Sequence, residues 1–347
     1  MSIESSVVSC QSSAVSGQPS AVNRGPFDVV HVEHLRGARY GLHVRSSIFH
    51  LPSSIPIVWD AVDCITYLFE QAAGQSRSLF GRLITRLDLP RTRRYEGWLV
   101  HQFDRVLATS RLDAEALGDL ASDHARGRRS QRAHVPTFER ANVDVLPNGV
   151  DLTYFRPAPG AGPSTPEQGP PVVVFTGKMS YHANVTAALY LAREIMPLVW
   201  AQRPEAQLRI VGKDPTAAVQ ALTADRRIAV TGAVADMRPH LWSASLAVAP
   251  LRYGAGIQNK VLEAMACGTP VVASERAVAA LEHVRPGADC LVADAPEGFA
   301  AAMLRVLDDP VLQRDLAAAG RAYVERCHDW DAIAGQLEGY YRDACAN

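Results

Sequence analysis

Of the 35 basic side chains in this 347-residue chain, only Lys178, Lys213 and Lys260 are lysines. A lysine ammonium is a compact, strongly hydrated point charge suited to phosphate. Lys178 and Lys213 each follow a short β-branched run that reads as a strand, Val172–Thr176 and Leu208–Gly212. Lys260 lies in the first turns of a helix predicted behind the strand Leu246–Pro250. In a parallel sheet such positions share one edge, where strand carboxyl ends and helix N-termini attract anions. Between Pro250 and Lys260 the chain runs through Gly254 and Gly256, small residues that let a diphosphate approach the backbone. A helix predicted over 257–267 puts Gly256, Lys260 and Glu263 on one face and points Ile257, Val261, Ala264 and Met265 into the core. That face offers backbone N–H groups and an ammonium to phosphates, and a carboxylate that can accept two hydrogen bonds from a ribose diol. A Lys260–Glu263 surface pair, which would contribute little, accounts for the last two residues equally well. Phe175-Thr-Gly-Lys178 adds a close turn at Gly177 and a cation. It lacks the P-loop spacing, and no G-x-G-x-x-G opens this half, which argues against a dinucleotide-binding dehydrogenase.

The elements that must position these groups alternate between strand and helix. In the second half, strands at Val172–Thr176, Leu208–Gly212, Ile228–Thr231, Leu246–Pro250, Pro270–Ala273 and Cys290–Val292 are separated by helices near 184–202, 215–224, 235–244, 257–267 and 277–284. Three helices follow, near 297–308, 310–326 and 330–345. The first half gives four strand candidates, Asp28–Glu33, Ile55–Asp60, Arg105–Thr109 and Val143–Leu146. Residues 156–171 carry six prolines and read as a stiff linker. The expected organisation is a Ser-rich disordered tail at 1–25, a first α/β domain at 26–155, the linker, a second α/β domain at 172–328, and a final helix at 329–347.

Composition narrows the function classes. Hydrophobic residues at 48% and charged residues at 20% suit two α/β cores, and a net charge of −1 gives no reason to expect nucleic-acid binding. Cys10, Cys64, Cys267, Cys290, Cys327 and Cys345 show no C-x-x-C spacing, so neither a zinc ribbon nor a disulfide framework is indicated, and a reducing cytoplasm is expected. No leader pattern and no apolar run of membrane-spanning length is present. Arg77, Arg82, Arg86, Arg91, Arg93 and Arg94 suit either peripheral contact with the inner membrane surface, or a lipid-diphosphate acceptor, or a solvated helix face. Asp329-Trp-Asp331 has the form of a metal-binding D-x-D, but it opens the last helix, where Asp serves as a cap; no metal site is expected.

Taken together, Phe-Thr-Gly-Lys178, the run Asn259-KVLEAMACGTPVVA-Ser274 and Asn148-Gly-Val-Asp151 resemble the family-4 glycosyltransferases. The segments at 31–41, 59–64 and 89–96 are similar to bacterial exopolysaccharide-associated members. The resemblance spans about residues 27–345. It implies the GT-B fold, two Rossmann-like domains facing a cleft, and retaining transfer from a nucleoside diphosphate sugar to a saccharide or lipid-linked acceptor, without a cofactor. It assigns Glu263 to the ribose, Gly177, Gly254, Gly256, Ile257 and Gln258 to close contact with phosphate and sugar, Val230 to the base, and Lys178, with Lys260, to the leaving diphosphate. Glu33 and His34, near the family's His-x-His position, would face the acceptor. Three positions depart from the family pattern. Ala255 stands where a second glutamate is common, Asn184 where a second cation is common, and His31-Val-Glu33 where His-x-His is usual. The first domain is expected to lack its opening strand and Gly-rich loop, with poor transfer as the consequence. A sugar-nucleotide epimerase and a non-catalytic nucleotide-sugar-binding protein remain as alternative readings.

Overall fold

The computed structural model describes residues 27–46, 55–75, 79–129, 143–158, 169–254 and 256–346. The Ser-rich tail, linker residues 159–168, Arg77 and Ala255 lie outside the described residues, as do the side chains of Arg82 and Arg86.

The first domain runs β1 (Val30–Glu33), α1 (His34–Ser46), β2 (Ile57–Asp60), α2 (Ile65–Gln75), α3 (Leu79–Leu99), β3 (Arg105–Ala108), α4 (Arg111–Arg129) and β4 (Val143–Val145). Its described strands pair in parallel in the order β1-β2-β3-β4. Strand periodicity divides the apolar residues between two faces. Ile57, Trp59, Val106 and Ala108 pack against Leu99 and Leu117 on one side, while Val58, Leu107 and Leu146 pack on the other. Burial on both faces explains the continuous apolar runs in the sequence.

The second domain runs β5 (Val172–Thr176), α5 (His182–Tyr190), α6 (Met196–Trp200), β6 (Gln207–Val211), α7 (Ala217–Gln220), β7 (Ile228–Val230), α8 (Arg238–Trp242), β8 (Leu246–Ala249), α9 (Asn259–Ala266), β9 (Val271–Ala273), α10 (Glu275–Val278), β10 (Leu291–Val292), α11 (Pro296–Asp308) and α12 (Pro310–Cys327). Its parallel sheet has the order β10-β9-β8-β5-β6-β7. Strand order therefore reverses between β5 and β8, and the crevice at their carboxyl ends is where such sheets bind ligands. All six strands fall within one or two residues of expectation. The long helix expected over 184–202 is instead interrupted by a π-helical turn at Leu191–Ile195. The helix expected over 277–284 is one turn only. Ser274 Oγ accepts the Ala277 N–H and fixes its start, and His283 takes a left-handed φ of 62° that no helix continues through.

The last helix, α13 (Trp330–Ala346), returns to the first sheet. Its Ile333 is buried with Val58, Leu107 and Leu146, flanked by Leu337, Tyr340 and Tyr341. Asp329 stands where the helix begins and accepts the Asp331 N–H at 3.2 Å, which is the capping role. Beside it the Val150 N–H donates to His328 O at 2.8 Å and His328 Nδ1 lies 2.7 Å from Asn148 O. The chain thus passes between the two domains twice at one place.

Helices α3 and α4 pack so closely that a Cβ on Gly97 would lie 2.4 Å from Leu120 O, whereas nothing lies within 4 Å of a Cβ on Gly118. Gly97→Ala is expected to cost about 1–3 kcal/mol through overpacking. Gly118→Ala, in the interior of α4, is expected to add about 0.5–1 kcal/mol. Urea unfolding midpoints of the two variants, moving in opposite directions, check the packing.

Candidate functional site

The edge of the second sheet is built on glycines. Gly177 ends β5 and Gly212 ends β6, and a Cβ on Gly212 would lie 1.8 Å from Gly177 O. Gly212 has φ 149°, and its lack of a side chain lets the two loops nest. The Gly177 N–H donates to Val211 O at 3.0 Å and the Met179 N–H to Lys213 O at 2.8 Å. This nesting sets Lys178 and Lys213 on neighbouring loops, both exposed. Neither ammonium makes an ion pair among the described residues. Asn184, the residue at the expected second-cation position, is buried beneath them, and its Nδ2 donates to Lys178 O at 3.1 Å. A Cβ on Gly177 would clash with that amide at 2.7 Å. Asn184 therefore holds the Lys178 loop and brings no charge of its own.

Across the switch point, β8 leads into the glycine turn. Helix α9 begins at Asn259, two residues later than expected, because Gly256 has φ 68° and Gln258 is extended. Gly256 thus lies outside the helix, and the face it was expected to share is carried by Lys260 and Glu263 alone. The apolar expectation holds: Ile257, Val261, Ala264 and Met265 are buried. Lys260 is half-buried, its Nζ donates to Gln258 Oε1 at 3.0 Å, and it lies 6.0 Å from the Phe175 ring centroid. Burial pushes its ammonium down to about 8, with Glu263 opposing. Burial raises the Glu263 carboxyl, with Lys260 opposing. The two form no ion pair within 4.0 Å, and no side chain among the described residues hydrogen-bonds the Glu263 carboxylate. The ammonium is held by Gln258 rather than by the carboxylate, so the two do not form a closed pair. Val230 sits half-buried at the end of β7, two strands from β5, level with Ile210.

Several residues that the sequence did not single out close the site. Tyr181 and His182 begin α5; His182 stacks on Tyr253 with centroids 5.3 Å apart, and its Nδ1 lies 3.0 Å from the Tyr253 hydroxyl. Burial lowers the His182 pKa. From the first domain, Gln71 Oε1 accepts the Gly254 N–H at 3.3 Å and the Tyr67 hydroxyl meets Arg276 at 3.3 Å. Asp113 accepts a backbone hydrogen bond from Gly256. Gly256 therefore contributes closeness rather than a free N–H. Asp63 Oδ1 presses on the same glycine: a Cβ there would lie 2.0 Å away. Burial, with the Asp113 charge, raises the Asp63 carboxyl to about 6. A sequence signal existed for Asp113 alone: Ser110-x-x-Asp113 is a capping pattern at the start of α4.

Glu33 and His34 lie at the carboxyl end of β1. The Glu33 carboxylate is 66% exposed and 3.9 Å from His31 Nε2. His34 has φ 59° and helps to hold down the pKa values of Asp60 and Asp63. It is Asp63, not Glu33 or His34, that reaches the glycine turn. A separate cavity of about 750 Å³ lies along the same edge, beyond Arg252, lined by Tyr190, Glu275, Arg276 and Phe299. It does not include the lysines.

Two facing parallel α/β sheets, with a cationic glycine edge at the switch point of the second, define a GT-B protein. Residues 170–309 match the family described as Glycosyl transferases group 1. It is 30% identical over 220 residues to a GDP-mannose-dependent monoacylated alpha-(1-6)-phosphatidylinositol monomannoside mannosyltransferase of Corynebacterium glutamicum, covering 58% of this chain and 55% of that one. It is 32% identical over 207 residues to a phosphatidyl-myo-inositol mannosyltransferase of Mycobacterium tuberculosis, covering 56% and 53%. The chain thus spans about half the length of the curated relatives it matches. In fold it is similar to sucrose-phosphate synthase of Thermosynechococcus elongatus, with TM-score 0.64 and 21% identity over 92% of this chain and 74% of that one. It is likewise similar to Anabaena HepE in complex with UDP and glucose, with TM-score 0.65 and 15% identity over 91% and 77%.

With only three lysines in the chain, ¹³C-dimethylation gives three lysine signals. One is expected to titrate near 8 and to vanish in Lys260→Met. Glu263→Gln removes the charge that supports the ammonium and is expected to move that titration lower still. NMR titration from pH 6 to 11 checks both; an unmoved signal in the Gln variant means that the two side chains do not sense each other.

Proposed function

We propose that this chain transfers a sugar from a nucleoside diphosphate sugar to a saccharide or lipid-linked acceptor, with retention of anomeric configuration, in exopolysaccharide or other cell-surface glycan synthesis. The observation that carries the reading is the crevice between β5 and β8, with Lys178 and Lys213 on one side and the glycine turn, Lys260 and Glu263 on the other. Lys178 would neutralise charge growing on the leaving diphosphate, assisted by Lys260 and the positive end of α9. Glu263 would accept the two ribose hydroxyls, and the backbone near Val230 would adjoin the base. Glu33 and His34 would lie on the acceptor side.

The printed names of the curated relatives support a lipid-linked acceptor, and GDP-mannose and UDP are the donors to test first. Among the described residues no helix is long and apolar enough to cross a membrane. A place in the cytoplasm, with Arg91, Arg93 and Arg94 toward the inner membrane surface, fits a lipid-linked acceptor. Of these, Arg93 is already paired with Glu70 and Asp123.

Calorimetry of the full chain against UDP, GDP and ADP is expected to give heat with one of them; silence with all three would falsify the donor reading. Glu263→Gln should weaken that binding by about 1.5–3 kcal/mol, roughly ten- to a hundredfold. It should also abolish discrimination between ribose and deoxyribose nucleotides. Lys178→Ala should lower turnover more than donor affinity, because the diphosphate gains charge as the glycosidic bond breaks. Equal losses would confine Lys178 to ground-state binding. Turnover should persist in EDTA; its loss, with rescue by manganese, would reopen Asp329 and Asp331 as ligands.

A further inference from the structure

Four carboxyls of the first domain gather around the loop from β2 to α2, and three of them accept backbone hydrogen bonds. Asp60 Oδ1 accepts the Val62 N–H at 2.9 Å. Asp113 accepts the Cys64 N–H at 2.9 Å, the Ser110 hydroxyl and a backbone bond from Gly256. Buried Glu96 accepts the Ile65 N–H at 2.9 Å and the Thr66 N–H at 2.8 Å, capping α2. The fourth, Asp63, has one long contact, from Thr109 Oγ1 at 3.5 Å. Its backbone is nonetheless held from both sides, since Ala61 N donates to Leu107 O at 2.9 Å and Thr109 N to Val62 O at 2.9 Å. A rigid loop thus presents a carboxyl that the fold does not consume.

Asp63 points across the cleft. Its oxygen lies against Gly256, and Tyr181, at the head of α5, is close enough that the Asp63 charge adds to burial in raising the Tyr181 hydroxyl. An ionised carboxylate only accepts hydrogen bonds, and so do diphosphate oxygens. Two such groups cannot face each other directly; whatever lies between them must donate from both sides. In a nucleoside diphosphate sugar the moiety next to the distal phosphate is the sugar ring, which carries hydroxyls.

On the reading of this crevice as a donor site, we infer that Asp63 of the first domain holds a hydroxyl of the sugar to be transferred and so determines which donors are accepted. The sugar then bridges the glycine turn of one domain and a carboxylate of the other, so that recognition of the sugar and apposition of the domains are one event. A free nucleoside diphosphate satisfies the second domain but has no hydroxyl for Asp63.

The test compares UDP with UDP-glucose and GDP with GDP-mannose by calorimetry on the full chain, in wild type, Asp63→Asn and Asp63→Ala. The expected result is that both variants bind the free diphosphate within twofold of wild type, which also reports that the site has folded. Binding of the sugar conjugate is expected to weaken tenfold or more. If the variants lose diphosphate and conjugate equally, Asp63 serves the glycine turn and the inference is overturned; an unchanged ratio of the two affinities overturns it as well. A wild-type chain that binds no diphosphate brings down the donor reading and this inference together, an outcome distinct from normal wild-type binding with an unmoved ratio.

Discussion

The site depends on a backbone contact in which Gly177 O lies where a side chain on Gly212 would have to be. Because neither residue has a Cβ, the loops after β5 and β6 share hydrogen bonds and move as one piece. The two lysines they carry are thereby placed on neighbouring loops at one sheet edge by backbone geometry alone.

The opposite wall follows the same logic with reversed sign. The carboxyls of Asp60, Asp63 and Asp113 are crowded at the carboxyl ends of β2 and β3, and burial raises all three. Backbone N–H groups stabilise two of them and leave Asp63 exposed to the cleft. On the donor reading, an acidic wall facing a basic one would divide the crevice, phosphate toward the second domain and hydroxyl-bearing groups toward the seam between the domains. The π-helical turn at Leu191–Ile195, on the helix behind Lys178, is absorbed into the packing of Leu191 and Ile195.

Much of this was legible in the sequence because the second domain obeys simple periodic rules. The strands there are short apolar runs bounded by Gly and Pro, and three lysines in a chain otherwise rich in arginine advertise an edge. The helix start at Asn259 was missed because Gly256 and Gln258 continue a helical spacing while their dihedrals do not; only the tertiary contact with Asp113 and Asp63 explains the turn. Asn184 could be read as a missing cation, but not as the amide that holds Lys178. Asp63 was invisible as a site residue for a different reason. Its partner is a glycine nearly 200 positions away on another domain, and a contact with no side chain on one side leaves no compositional trace.

The path of the final helix has a consequence for how the protein is made. Val58, Leu107 and Leu146 form one face of the first sheet, yet the residue that covers them, Ile333, follows Leu146 by nearly two hundred positions. Until α13 leaves the ribosome that face stays wet, and the earlier domain cannot finish folding on its own schedule. The crossing at Asn148–Val150 and His328–Asp329 then closes the chain like a clasp. One face of the first sheet is therefore covered by its own helices as they are made, while the other waits for a helix that follows the whole second domain.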